Sequence, residues 1–204
     1  LAPKKPEVNL LIEKLIAEKV KKAGIKTNEI IYVDISRKKY PFDFQIQEKF
    51  AGLDPEIVFK GVKKDYDRIS FQLDHTIAKL SEITFNKFGR FDENEALKNN
   101  LIGTKNNHYD YIVTELESNL EFIGNNNYLT NTQIQRILKL FDGNKQIINL
   151  EKGSLVHYDL ADHNLRYNPQ TFDLELIFDW ESAVSSDPDA GSCLLSNLDY
   201  IVRA

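Results

Sequence analysis

The stretch His157-Tyr158-Asp159-Leu160-Ala161-Asp162-His163-Asn164, continued by Leu165-Arg166-Tyr167 and later by Leu174-Glu175-Leu176-Ile177-Phe178-Asp179-Trp180-Glu181, decides how this chain is read. Two short strand-like runs flank Asn168-Pro169-Gln170-Thr171. There proline fixes φ and the asparagine side chain can bond the backbone, so a hairpin is predicted. With the turn centred near Thr171 to Phe172, Leu165 falls opposite Phe178, and Asn164 and Asp179 leave the hairpin side by side at one end. An amide oxygen beside a carboxylate supplies two hard oxygen ligands of the kind Mg²⁺ accepts while keeping waters and phosphates in its other positions. Asp159, five residues before Asn164 across a tight loop, stands further along the same cleft and is placed to accept a proton.

The spacing His-x-Asp-x-x-x-x-Asn equals that of the protein-kinase catalytic loop, in which the Asp accepts the substrate hydroxyl's proton and the Asn binds metal. With a later Asp in Phe178-Asp179-Trp180-Glu181, the chain resembles the aminoglycoside phosphotransferase and choline kinase family, which has a protein-kinase-like fold. Trp180-Glu181 stands where protein kinases have Phe-Gly, and Asp187-Pro188 resembles the family's following Gly-Asp-Pro element. The resemblance implies that Asp159 is the catalytic base, that Asn164 and Asp179 are Mg²⁺ ligands, and that His157 supports the loop. Upstream, Phe44-Gln45-Ile46-Gln47-Glu48-Lys49-Phe50-Ala51-Gly52 resembles the last N-lobe strand and the hinge that pairs with adenine, with Glu48 and Phe50 as the implied contacts. Glu13 sits where the family's N-lobe helix carries the glutamate that pairs with the phosphate-binding lysine. Ala78-Lys79-Leu80, followed by Phe88-Gly89, resembles a family helix and turn.

The expected architecture is therefore α+β: a protein-kinase-like two-lobed fold with an incomplete N-lobe over 1–50 and a mostly helical C-lobe over 51–204 that carries the catalytic-loop hairpin. Helical spacing of Leu11, Leu15 and Val20, with Ile12 and Ile16 beside them, predicts an amphipathic helix from Val8 to Ala23, stopped by Ala23-Gly24. Ile30 to Val33 and Phe42 to Ile46 read as two strands. Helices are expected near 66–84, 109–122 and 132–142, with an exposed polar loop or lid from Asp92 to His108. Several features depart from the family pattern. Neither a Gly-rich loop nor a lysine-bearing strand precedes the first helix, Tyr158 replaces a small residue, Ser185-Ser186 precede Asp187 where glycine is usual, and the C-terminal helices are cut short at Ala204.

Composition bounds the function. Of 204 residues, 42% are hydrophobic and 28% charged, with a net charge of −5, so no basic face marks a nucleic-acid binder. No apolar run reaches membrane-spanning length, and no membrane partner is expected. Cys193 is the sole cysteine, which excludes an internal disulfide and fits a reducing, cytoplasmic compartment. A chain that begins at Leu1 and contains no methionine reads as an excerpt. Trp180 reads as core packing, and His75 and His108 as ordinary polar positions. The expected reaction is transfer of the terminal phosphate of ATP or GTP, with Mg²⁺, to a hydroxyl of an aminoglycoside-like, amino-alcohol or sugar acceptor. Two alternatives stay open: a non-catalytic pseudokinase-like module that binds a nucleotide or partner, and a metal-dependent phosphoesterase.

Overall fold

The first helix, α1 (Asn9–Lys22), buries Ile12, Glu13, Ile16, Ala17 and Val20 on one face, the stripe expected of an amphipathic helix docked on a core. Gly24 takes φ 77° at its end. Its N–H bonds the Lys21 carbonyl while that of Ile25 bonds the Val20 carbonyl, the paired closure in which a left-handed glycine terminates a helix. In this computed structural model the described residues are 7–50, 52–54, 57 and 62–192. Cys193 and Asp199 lie outside them, as does Ala51 within the hinge-like segment.

Strand β1 (Ile30–Asp34) pairs antiparallel with β2 (Phe44–Gln47), Val33 opposite Gln45 and Asp34 opposite Phe44. Alternation turns Gln45 toward α1, where its amide meets Glu13. The rings of Tyr32 and Phe44 sit 6.0 Å apart, and Tyr40 and Phe42 both pack against Phe44. Beyond the hinge-like segment, α2 (Lys63–Ser81) buries Ile69, Leu73 and Leu80. Then come β3 (Thr84–Phe85), β4 (Phe88–Phe91), α3 (Glu93–Ala96), β5 (Gly103–Lys105), α4 (His108–Ile112), α5 (Leu116–Asn125), α6 (Asn131–Gly143) and α7 (Lys145–Ile148). Strand β6 (Gly153–Val156) precedes the loop, β7 (Leu165–Tyr167) and β8 (Leu174–Ile177) form the hairpin, and β9 (Val184–Ser186) and α8 (Asp189–Ser192) follow.

The α+β expectation holds, and the second part of the chain is mostly helical with short strands between its helices. A five-stranded sheet runs in the order β3-β6-β9-β4-β5. The segment from Asp92 to His108 is not a loose lid: it contains α3 and β5. Its polar residues are used locally, since the Asp92 carboxylate accepts from the Asn94 and Glu95 N–H groups and Asn107 accepts from Asp110 N–H, each satisfying open donors at a helix start. The helix expected over 109–122 is two, α4 and α5, separated at Val113 to Glu115. Among the described residues no helix is long and apolar enough to cross a membrane.

A continuous apolar cluster joins α1, α2, β3, β6 and the hairpin, with Trp180 fully buried at its centre. Its indole N–H donates to Thr27 Oγ1 at 2.9 Å, so core packing and a satisfied donor explain this residue. Truncation by Trp180→Ala is expected to lower unfolding free energy by about 3–5 kcal/mol, read from the urea midpoint. A midpoint shift worth under about 1 kcal/mol would contradict the burial that motivates the estimate.

Candidate active site

The loop after β6 turns sharply because Tyr158 takes φ 63°. The buried His157 ring lies against Trp180 at 4.5 Å and bonds the Phe178 carbonyl through Nε2 at 2.9 Å. A carbonyl only accepts, so Nε2 carries the hydrogen and Nδ1 is an unpartnered acceptor. Burial pushes the His157 pKa down, opposed by the Phe178 carbonyl and by the Asp159 and Asp179 carboxylates. The ring is therefore neutral, and it ties the loop before Asp159 to the strand end before Asp179.

Asn164 closes the loop in a 3-10 turn, Asp162–Asn164. Its buried amide donates through Nδ2 to the Asp159 backbone carbonyl at 2.9 Å and to Asp159 Oδ2 at 3.2 Å. With the NH₂ group committed, Oδ1 is turned away as an acceptor. Asp159 stays about half exposed, with His163 Nε2 at 3.7 Å from Oδ2, so its carboxylate is reachable from solvent.

The hairpin brings the second carboxylate to the same end, one residue out of the expected register. Leu165 pairs with Ile177 rather than Phe178, and Phe178 N–H donates to the Asn164 carbonyl at 3.2 Å. Two local features cause the shift. The turn closes between Asn168 and Asp173, with Asn168 Oδ1 accepting from the Gln170 and Thr171 N–H groups. The register also slips between Arg166 and Tyr167, where Leu176 and Leu174 are the partners and Glu175 is the extra residue, an added residue of the bulge type. Asp179 then takes φ 65°, a conformation aspartate tolerates better than most side chains.

Glu13 reaches this end from α1. Its buried carboxylate accepts from Gln45 Nε2 at 2.9 Å. Burial raises its pKa, opposed by Gln45, with Asp179 adding to the rise. A carboxyl raised in the fold binds its proton more tightly when native. Its stabilising contribution is full below the ordinary value of 4.5 and is lost as pH rises through the folded value. Glu13→Gln should abolish that loss, so that wild-type stability falls relative to the variant as pH increases from 4.5. Parallel denaturation curves across that range would contradict it.

Glu48 and Phe50 lie on the adjoining edge. Glu48 N–H bonds the Glu29 carbonyl at 2.8 Å, and its side chain is exposed. The Phe50 ring packs on Phe178 at 4.8 Å, so the hinge-like segment touches the residue before Asp179. Arg166 stacks beneath both rings and pairs with Asp54. Leu53 and Tyr167 exchange backbone hydrogen bonds at 3.0 and 2.9 Å. Sequence spacing signals none of Gln45, Arg166, Asp54 or Thr27.

Among the described residues no group of three or more His, Cys, Asp or Glu side chains could hold a metal ion. What the hairpin end offers is one carboxylate, Asp179, and one amide oxygen, Asn164, donors of the hard-oxygen type that could hold Mg²⁺.

No family model and no curated protein sequence matches the chain. Solved structures do. The structure of aminoglycoside phosphotransferase APH(4)-Ia aligns with a TM-score of 0.63 at 12% identity, over 96% of this chain and 66% of that one. A gentamicin complex of APH(2")-IIa aligns with a TM-score of 0.58 at 17% identity, over 95% and 62%. A GDP complex of an aminoglycoside 2'-phosphotransferase-IIIa variant aligns with a TM-score of 0.61 at 18% identity, over 92% and 60%. The chain thus has the kinase-like fold of the aminoglycoside phosphotransferases and spans about two thirds of the length of the structures it matches.

Proposed function

We propose that this chain is the catalytic part of a small-molecule kinase that transfers the terminal phosphate of ATP or GTP to a hydroxyl of an aminoglycoside-like, amino-alcohol or sugar acceptor. The observation that carries the reading is the Asn164 amide N–H group bonded to the backbone carbonyl and to Oδ2 of Asp159, at the hairpin end from which Asp179 emerges. The structural neighbours support it: APH(4)-Ia has been seen in a ternary complex with AMP-PNP and hygromycin B, and APH(2")-IIa with streptomycin and ATP. In this reading residues 1–50 belong to an N-lobe and 51–204 to a C-lobe, and the single cysteine fits a cytoplasmic setting.

Asp159 is the base that orients the acceptor hydroxyl and takes its proton as the oxygen attacks phosphorus. Asn164 and Asp179 would hold Mg²⁺, which would supply charge neutralisation at the nucleotide phosphates. His157 is a positioning residue that keeps the Asp159 and Asp179 segments in register through the Phe178 carbonyl. Glu48 and Phe50 meet the nucleotide base at the hinge, and Glu13 sits on the phosphate side. Phosphoryl transfer requires little covalent help, so fixed placement of these groups supplies most of the rate.

One observation favours a second reading. Among the described residues, the Glu13 carboxylate accepts from the Gln45 amide rather than from a lysine, which suits a pseudokinase-like nucleotide or partner binding module. Magnesium-dependent release of ADP or GDP, measured with and without acceptors, separates the two. Acceptor-stimulated release is expected of the kinase, and nucleotide binding without stimulated release on any acceptor would establish the binding module.

A further inference from the structure

A cavity of about 770 Å³ opens between α1, β1 and the segment from Asn99 to Ile102. That volume is ample for a small molecule. The cavity lies apart from the candidate active site, since its wall includes nothing from the loop or hairpin that carries Asp159, Asn164 and Asp179. On α1 it takes the face turned away from Glu13. Lys22, in the wall, follows Glu13 by nine positions. At about 3.6 residues per turn that is roughly two and a half turns, so the two side chains leave opposite sides of the helix.

The wall has two chemistries. Its floor is apolar: Leu15, Val33 and Leu101 are half-buried and pack against the core. The exposed Tyr32 ring stands at the edge, 6.0 Å from the Phe44 ring. Around this floor are Lys14, Lys19 and Lys22 against one carboxylate, Glu18, a positive patch on a chain of net charge −5. Among the described residues none of the three ammonium groups forms an ion pair. Lys14 Nζ makes a long contact with the Ile31 carbonyl at 3.5 Å, Lys19 Nζ lies 5.5 Å from the centre of the Phe85 ring, and neither partner carries a negative charge. Lys19 and Lys22, three positions apart on the helix, repel each other. The facing rim is fixed: Asn99 takes φ 62°, its N–H bonds the Ala96 carbonyl at 2.9 Å, and Asn100 N–H bonds the Glu95 carbonyl at 2.9 Å, the paired closure of a helix by a left-handed residue.

We propose that this cavity is a second ligand site, for a small organic phosphate whose dianionic group meets Lys14, Lys19 and Lys22 while its apolar body covers Leu15, Val33, Leu101 and the Tyr32 ring. Three unpaired cations on one wall call for more than a single negative charge, and the lysine ammonium is a compact point charge suited to phosphate oxygens. The apolar floor calls for a body beyond the phosphate itself. The site stands independently of the kinase reading, because it shares no residue with the hairpin end.

The test uses 1-naphthyl phosphate as probe at about pH 7.5, where a phosphate monoester is close to dianionic, with inorganic phosphate and 1-naphthol as its separated halves. Binding to the full chain is measured by calorimetry and located by backbone amide NMR shifts. The probe is expected to bind at least about tenfold more tightly than either half, to shift the amides of Leu15, Lys22, Val33 and Leu101, and to lose affinity as salt is raised. Combined Lys14→Gln, Lys19→Gln and Lys22→Gln, which keeps good helix formers in α1, should weaken the probe by about tenfold or more. Tyr32→Ala leaves every charge in place; it should weaken the probe several-fold without changing inorganic phosphate, and it decides the matter alone if the triple variant melts early. Shifts confined to 157–181 would place the probe at the candidate active site and overturn the proposal. Undetectable binding at about 10 mM probe, or affinity unchanged by these substitutions, would overturn it as well. Inorganic phosphate binding as tightly as the probe would reduce the cavity to a patch of surface charge and overturn it too.

Discussion

Asp159→Ala is expected to lower acceptor-stimulated phosphoryl transfer by about 10²- to 10⁴-fold, the range typical of a lost general base. The nucleotide KM should change far less, because in the proposed mechanism the phosphate-side groups come from Asn164 and Asp179. The loop itself should survive. Asn164 Nδ2 loses its 3.2 Å bond to the Asp159 carboxylate but keeps the 2.9 Å bond to the backbone carbonyl of the same residue, and His157 keeps its bond to Phe178. Asp159→Asn offers a stricter comparison, since it preserves the side chain's size while removing the group that accepts the proton. Activity within tenfold of wild type in both variants would contradict the assigned role.

The second large effect is at Asp179. Its φ of 65° makes Asp179→Asn the informative change, because asparagine shares aspartate's tolerance of that conformation and only the charge is lost. A bound metal supplies several kcal/mol of charge stabilisation to a transferring phosphoryl group, so about a thousandfold loss of magnesium-dependent turnover is expected. The thermal stabilisation produced by adding nucleotide with magnesium should disappear with it. Retention of that magnesium-dependent shift in Asp179→Asn would place the metal elsewhere.

The hairpin, and the meeting of Asn164 and Asp179 at one of its ends, were legible because their signals are local. Asn168-Pro169-Gln170-Thr171 announces a turn, and one turn between two short strands brings Asn164 and Asp179 to the same end. The one-residue register difference was not legible. It depends on where Asn168 closes the turn and on the extra residue at Glu175, and neither alters the alternation of apolar residues enough to be seen. Strands β3, β4, β5 and β9 escaped for a related reason: at two to four residues each, they are too short to impose a period. The polar run over Asp92 to His108 read as loop because its asparagines and aspartates look solvated, whereas Asp92 and Asn107 cap helices and His108 is buried. Glu13 was placed by resemblance alone, since its solvated neighbour Glu18 has the same local chemistry. Only the burial of Glu13 and its tertiary contact with Gln45 separate them.

The most direct test of the kinase account is transfer of label from γ-phosphate-labelled ATP or GTP to the acceptor itself, with the phosphorylated acceptor isolated and its modified oxygen identified, alongside Asp159→Asn. The account predicts a magnesium-dependent phosphate ester on an acceptor hydroxyl with the wild type and a loss of at least about a hundredfold with the variant. Label found only in inorganic phosphate, or a phospho-acceptor formed equally by both proteins, would contradict it.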